Sequence, residues 1–227
     1  MQNKNLDLSI IIRTRNEQKW IGHAIQSILD HLYKPEIIIV DNNSTDQTLD
    51  IVRHFIQEPL LEKSESKYTN IKTYKITDYS PGKSLNFGVT KASKKYILIM
   101  SAHCILKNIN FQKHIVDLKQ YEGIFGKQNP IWNGKRITKR YLWSHFGEIP
   151  KKNMFSKLEN RYFFHNAISF FKKKTLQKYP FHEKLAGKED RYWANKIISK
   201  KLNYLYDPSM EVDHQYTENG NTWKGIG

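Results

Sequence analysis

Leu8-Ser9-Ile10-Ile11-Ile12-Arg13-Thr14-Arg15-Asn16-Glu17 and Glu36-Ile37-Ile38-Ile39-Val40-Asp41-Asn42-Asn43-Ser44-Thr45-Asp46 are built alike: a short β-branched run that ends in polar residues. Tyr96-Ile97-Leu98-Ile99-Met100, followed by Ser101-Ala102-His103-Cys104, repeats the pattern. Apolar runs without alternation suit strands covered on both faces, as in a parallel sheet. Between the first two runs, Trp20, Ile21, Ala24, Ile25, Ile28, Leu29 and Leu32 recur at helical spacing and form one apolar stripe. This is a strand–helix–strand unit, the connection that parallel neighbours need. Ser44 and Gln47 have the spacing of a capping box and predict a second helix, with Leu49, Val52, Phe55 and Ile56 as its apolar face. A third helix is expected across Leu85, Val89 and Ala92, and residues 57–70 read as a polar surface loop. The fold class is α/β, with a mostly parallel central sheet flanked by helices.

The rest of the composition agrees with a packed enzyme-sized domain. In 227 residues there are 13 Tyr, 11 Phe and 5 Trp, enough buriable area to exclude wholesale disorder. The single cysteine, Cys104, excludes an internal disulfide and a cysteine-based metal cluster. The start of the chain lacks the apolar core of a signal peptide, and no aliphatic run approaches the roughly 20 residues of a membrane span, so a cytoplasmic location is expected. The net charge is +15, and residues 133–204 alone carry 18 basic against 5 acidic side chains. Such a field favours an anionic partner, although solvated surface lysines give the same count.

In open α/β sheets, ligands bind beyond the carboxyl ends of the strands. The residues there are Arg13 to Glu17, Asp41 to Asp46, and Ser101 to Cys104. An acid at the end of the second strand can accept hydrogen bonds from a ribose or a base, and cations beside a helix N-terminus can hold phosphates. Together they suggest a nucleotide. The same Asp41 to Asp46 segment would also serve simply to cap a helix.

The combined motifs resemble the opening of family 2 glycosyltransferases, which have the GT-A fold, a Rossmann-like sheet. Lys83-Ser84-Leu85-Asn86-Phe87-Gly88 is similar to the family's helix before the central strand. The resemblance resumes at Gly126-Lys127-Gln128-Asn129-Pro130, Asn166-Ala167, Lys188-Glu189-Asp190-Arg191 and Val212-Asp213-His214, in the family's order, and is closest to a bacterial rhamnosyltransferase-like subgroup. It implies transfer of a sugar from a nucleotide-sugar donor to an acceptor hydroxyl, with inversion, in surface-polysaccharide or glycoconjugate assembly. Asp190 would be the catalytic base and Glu189 its companion. Thr14, Arg15, Asn16, Glu17, Asp41 and Asn43 would surround the nucleotide, with Lys83, Asn86, Ser101 and His103 toward the donor's ribose and phosphates.

One departure stands out. The family's Asp-x-Asp signature is expected after Met100, and the chain has Ser101-Ala102-His103. Two carboxylates suit Mg²⁺ or Mn²⁺; imidazole suits softer ions and can also hydrogen-bond phosphate with no metal. His103 and His214, the latter where relatives often place a metal-binding histidine, are therefore the candidate ligands of a divalent cation, Mn²⁺ or Mg²⁺.

The expected layout is a single GT-A domain, 1–227, with a nucleotide-sugar-binding half (1–104) and an acceptor-binding half (105–227). Expected partners are the nucleotide-sugar donor and a glycan or lipid-linked acceptor. The cation–aromatic mixture at 136–146 and the Lys172-Lys173-Lys174 run behind Tyr162 to Phe164 and Phe170-Phe171 are compatible with peripheral docking on an anionic inner membrane face, or with a core and solvated lysines. The rival readings are an inactive GT-A-like binding domain, and a nucleic-acid-directed protein, either a binder or a DNA glycosyltransferase. No zinc-finger or RNA-recognition signature favours the latter.

Overall fold

The computed structural model describes residues 6–57, 70–137, 146–157 and 159–217. The first half alternates strands and helices: β1 (Leu8–Thr14), α1 (Ile21–His31), β2 (Glu36–Asp41), α2 (Thr48–Gln57), β3 (Ile71–Lys75), α3 (Pro81–Lys91) and β4 (Tyr96–Ser101). Then follow β5 (Cys104–Asn108), α4 (Phe111–Asp117), β6 (Gly123–Trp132) and the two-residue strands β7 (Lys135–Arg136), β8 (Lys151–Lys152), β9 (Phe155–Ser156) and β10 (Arg161–Tyr162). The chain continues with β11 (Ile168–Lys172), α5 (Lys173–Lys178), α6 (Glu189–Ser199) and β12 (Leu205–Gln215).

One sheet runs through both halves in the order β3-β2-β1-β4-β11-β6-β12-β5. Its first four strands are parallel, as their uniformly apolar runs require. Beyond β4 it is mixed: β11 is antiparallel to β4 and β6, β12 is parallel to β6, and β5 is antiparallel to β12. The register aligns Thr14 with Asp41 and Arg13 with Ser101, so the polar residues ending β1, β2 and β4 lie side by side at one edge.

Alternate residues feed two cores. Ile10, Ile12, Ile37, Ile39, Leu98 and Met100 meet α1 through Ile21, Ala24, Ile25 and Ile28. Ile11, Ile38, Ile97 and Ile99 belong to the opposite core, with Leu85 and Val89 of α3, Leu176 of α5, and Trp193, Ala194 and Ile197 of α6. At about 1.5–3 kcal/mol for each fully buried large apolar side chain, these two layers are the main favourable term. Two glycines allow close approach: a Cβ at Gly88 would lie 2.6 Å from Ile11, and one at Gly126 would lie 2.2 Å from the Met210 carbonyl oxygen.

Helix α2 starts differently from the capping-box expectation. Asp46 caps it, accepting the Thr48 amide at 3.0 Å, whereas the Ser44 hydroxyl donates to Asp41 and accepts the Asn16 amide. Ser44 is claimed by the loop, so the cap moves two residues on.

Candidate active site

The first strand end is built by loop-to-loop hydrogen bonds. Asn16, in left-handed backbone at φ 54°, accepts the Thr45 amide at 2.8 Å, and the Glu17 amide donates to Thr48 at 2.7 Å. Asp41 is fully buried and accepts the Ser44 amide at 3.1 Å. Thr14 is buried beside it, and its hydroxyl has no hydrogen-bond partner. Arg15 and Asn43 are exposed, Asn43 at φ 51° in the turn after β2. These expected nucleotide residues therefore share one rim at the end of β1 and β2.

Two other expected donor residues have structural partners. The Asn86 amide donates to the Phe181 carbonyl at 2.9 Å and accepts the Phe181 amide at 3.0 Å, tying α3 to the segment before α6. The Lys83 ammonium pairs with the exposed Asp78.

The acid pair sits on the other side of the same rim. Lys188, left-handed at φ 63°, turns the chain into α6, so Glu189 and Asp190 fall in its first turn, where the helix dipole favours negative charge. Both are buried. Glu189 meets Arg13 of β1 at 3.2 Å. Asp190 accepts its neighbour's backbone amide at 2.8 Å and the Arg191 guanidinium at 3.0 Å. Burial, with Asp190 adding to it, pushes the Glu189 carboxyl above its usual range against the pull of Arg13. Burial works against the Arg13 and Arg191 charges, but the facing carboxylates outweigh it and hold both firmly protonated.

His103 and His214 lie together, with ring centroids 4.8 Å apart and planes 27° from parallel. The His103 Nδ1 faces Glu17 at 2.8 Å, and the His214 Nδ1 faces the Gln128 carbonyl oxygen. Those acceptors place the proton on Nδ1 in each ring, which directs the lone pair to Nε2. Burial and the neighbouring imidazoles of His103 and His165 hold His214 neutral, well below the ordinary histidine range. Two imidazoles, one oriented by a carboxylate and the other by an amide, fit a borderline divalent cation. Ser101 adds only a hydroxyl.

A trio with mutually close ligand atoms, His114, Asp117 and Asp207, lies elsewhere. Lys113 already sits there, 2.9 Å from Asp117 and in contact with Asp207, so the cluster carries its own cation.

Arg13, Arg191, Glu159 and Gln128 were not singled out from sequence. Arg13, Arg191 and Gln128 stood inside quoted motifs and only needed to be asked what neutralises the acids and orients the histidines. Glu159 had no local signal. Of the second cation–aromatic cluster, Phe163, Phe164, Phe170 and Phe171 are core, the Lys173 ammonium donates to the Ala92 carbonyl at 2.7 Å, Lys172 is in register with Tyr96 at the start of β4, the end away from the site, and Lys174 is exposed. Of the 136–146 stretch, Arg136 is exposed, Phe146 is buried, and residues 138–145 lie outside the described residues.

This sheet, with a polar rim at the ends of β1, β2 and β4 and an acid pair at a helix start, is that of the GT-A glycosyltransferase fold. Solved structures share it at low identity. TarS 1–349 of S. aureus in complex with UDP-GlcNAc matches at TM-score 0.70 and 17% identity, over 98% of this chain and 62% of that one. The mannosyltransferase PcManGT from Pyrobaculum calidifontis, in complex with GDP-Man and Mn²⁺, matches at 0.64 and 16%, over 96% and 59%. The chain belongs to glycosyl transferase family 2, whose model matches residues 9–180. Among curated relatives, the GalNAc(5)-diNAcBac-PP-undecaprenol beta-1,3-glucosyltransferase of Campylobacter jejuni is 27% identical over 215 residues, 88% of this chain. This chain spans 62% of that protein's length.

Proposed function

We propose that the chain transfers a sugar, with inversion, from a nucleotide-diphosphate donor to an acceptor hydroxyl in surface-polysaccharide or glycoconjugate assembly. Residues 1–104 bind the donor and 105–227 the acceptor, within a single GT-A domain. The observation that carries this reading is the Arg13–Glu189 contact of 3.2 Å, which brings the α6 acid pair over the ends of β1 and β4.

Thr14, Arg15, Asn16, Glu17, Asp41 and Asn43 hold the nucleoside, with Ser101 toward the diphosphate. Asp190 takes the acceptor's proton as its oxygen attacks the anomeric carbon, and Glu189 orients that hydroxyl. Low-dielectric burial makes both interactions stronger than in water. A divalent cation held by His103 and His214 would supply Lewis-acid neutralisation of the departing diphosphate. The undecaprenol-linked substrate in the Campylobacter jejuni relative's name supports a lipid-linked acceptor here, with the enzyme working at the inner membrane face. No described helix is long and apolar enough to cross a membrane.

The test is nucleotide release from a panel of UDP- and GDP-sugars, with lipid-linked and soluble glycan acceptors, by wild type and Asp190→Asn. Acceptor-dependent release lost by a factor of about 10² to 10⁴ in the variant supports the reading. Near-normal turnover by the folded variant removes Asp190 from the base role.

A further inference from the structure

The acid pair is wired to a third carboxylate. Glu159 lies in the turn between β9 and β10, with its side chain 7% exposed. Its Oε2 is 3.6 Å from Nε of Arg191 and 3.6 Å from Nε of Arg161, while its Oε1 is buried without a hydrogen-bond partner. Arg191 thus stands between two acids. Its Nη1 donates to Asp190 at 3.0 Å, its Nε is buried without a hydrogen bond, and its guanidinium carbon lies 4.3 Å from the centre of the Phe163 ring. Buried polar atoms normally find partners. Here an orphan nitrogen and an orphan oxygen belong to the two members of one ion pair, the geometry of a cation shared between two carboxylates and saturated by neither.

We propose that Glu159 is a positioning residue for the acid pair, holding the far edge of Arg191 so that the arginine orients Asp190 without fully claiming it. The proposal rests on the reading of Asp190 as the base. An undivided Arg191 would draw the Asp190 lone pairs to itself and weaken their competition for the acceptor's proton; a shared one leaves Asp190 oriented and basic. The charged and titratable groups around Asp190 are Glu189 and Arg191 on α6, Arg13 on β1 with Tyr79 near it, Glu159 and Arg161 across the β9–β10 turn, and His165 near Arg191. His165 is neutral throughout, since burial and then Arg191 lower its pKa to about 3.

Glu159→Gln keeps the shape and removes the charge. Loss of a nearby negative charge and a tighter Arg191–Asp190 contact act in the same direction, toward easier ionisation of Asp190. With ¹³C-labelled carboxyl groups, the resonance that Asp190→Asn deletes reports this residue. Its titration midpoint is expected about 0.5 to 1 pH unit lower in Glu159→Gln than in wild type. Arg161→Gln, at a more exposed position, releases Glu159 toward Arg191 and is expected to move the midpoint upward; it serves as the second variant where Glu159→Gln does not fold. A midpoint unchanged or moved in the opposite direction, in a variant with wild-type unfolding behaviour, overturns the proposal. The measurement needs no substrate, so failure of Asp190 as base would show as turnover by Asp190→Asn, while failure of the Glu159 coupling would show here alone.

Discussion

Arg13 on β1 and Glu189 at the start of α6 lie 3.2 Å apart although 176 positions separate them in sequence. Arg13 is in register with Ser101, the first position where an acidic pair was expected. A fixed cation thus stands beside the place where the family's carboxylates are missing, and it faces an acid from the other half of the chain.

Arg13→Gln should lower turnover by about ten- to a hundredfold, as expected for loss of a part-buried charge partner in a site. It also removes the influence that opposes the raised Glu189 pKa. The sign follows: the carboxyl becomes harder to ionise, so the acid limb of the rate profile moves to higher pH. Rates measured across pH check this, and an unmoved limb would detach Glu189 ionisation from the reaction.

The histidine pair predicts cation binding that depends on its supports. His103→Ala and His214→Ala should abolish detectable Mn²⁺ or Zn²⁺ binding in the presence of UDP, and Gln128→Leu should weaken it by about ten- to a hundredfold. Calorimetry decides. Equal affinity in wild type and both alanine variants would leave the rings without a metal role.

The start of α2 offers a stability test. Asp46→Ala should cost about 1 kcal/mol through loss of the cap on the Thr48 amide, read from urea unfolding. A Ser44→Ala variant tests the capping-box alternative, in which it, and not Asp46→Ala, would carry the helix-start penalty.

Two buried neutral histidines predict acid lability. Burial lowers His165 to about 3 and His214 well below its ordinary value. Unfolded, both would titrate near 6.5, so the unfolded state binds the extra protons: stability is full above about pH 6.5 and falls as pH drops toward the folded values. Each contributes a slope of about 1.4 kcal/mol per pH unit in that window. Unfolding midpoints between pH 7 and 4.5 should fall less steeply in His165→Gln.

Gly126→Ala should destabilise by about 2–3 kcal/mol, because the added Cβ meets backbone that cannot yield like a side chain tip. A thermal midpoint equal to wild type would show that the β6–β12 contact is looser than the 2.2 Å approach implies.

Sequence made the first half legible because its signals are local. Ile10 to Ile12 and the Trp20 to Leu32 stripe carry their own periodicity, and the matching strand and helix lie where that periodicity puts them. Motif order singled out the acid pair and both histidines, and the structure puts the acids in the first turn of α6 and the two rings side by side. What escaped was decided by distant partners: Ser44 has the right spacing for a cap but is taken by Asp41 and Asn16, and Glu159 matters only because a turn folds it against Arg191. Distant partners also decide where the basic run lies. Lys172 and Lys173 occur consecutively with Lys174, yet one lies 4.0 Å from Glu122 and the other bonds a carbonyl.

The position of β12 has a consequence for how the protein is made. The last of the described strands, it inserts between β6 and β5, two strands that a ribosome would have released much earlier. Until it emerges, those neighbours expose unpaired backbone edges, and His103 has no His214 to stack on. Vectorial synthesis therefore releases β1 to β4 before the two histidine rings can meet, and a nascent chain without β12 carries open sheet edges of the kind that invite wrong pairing.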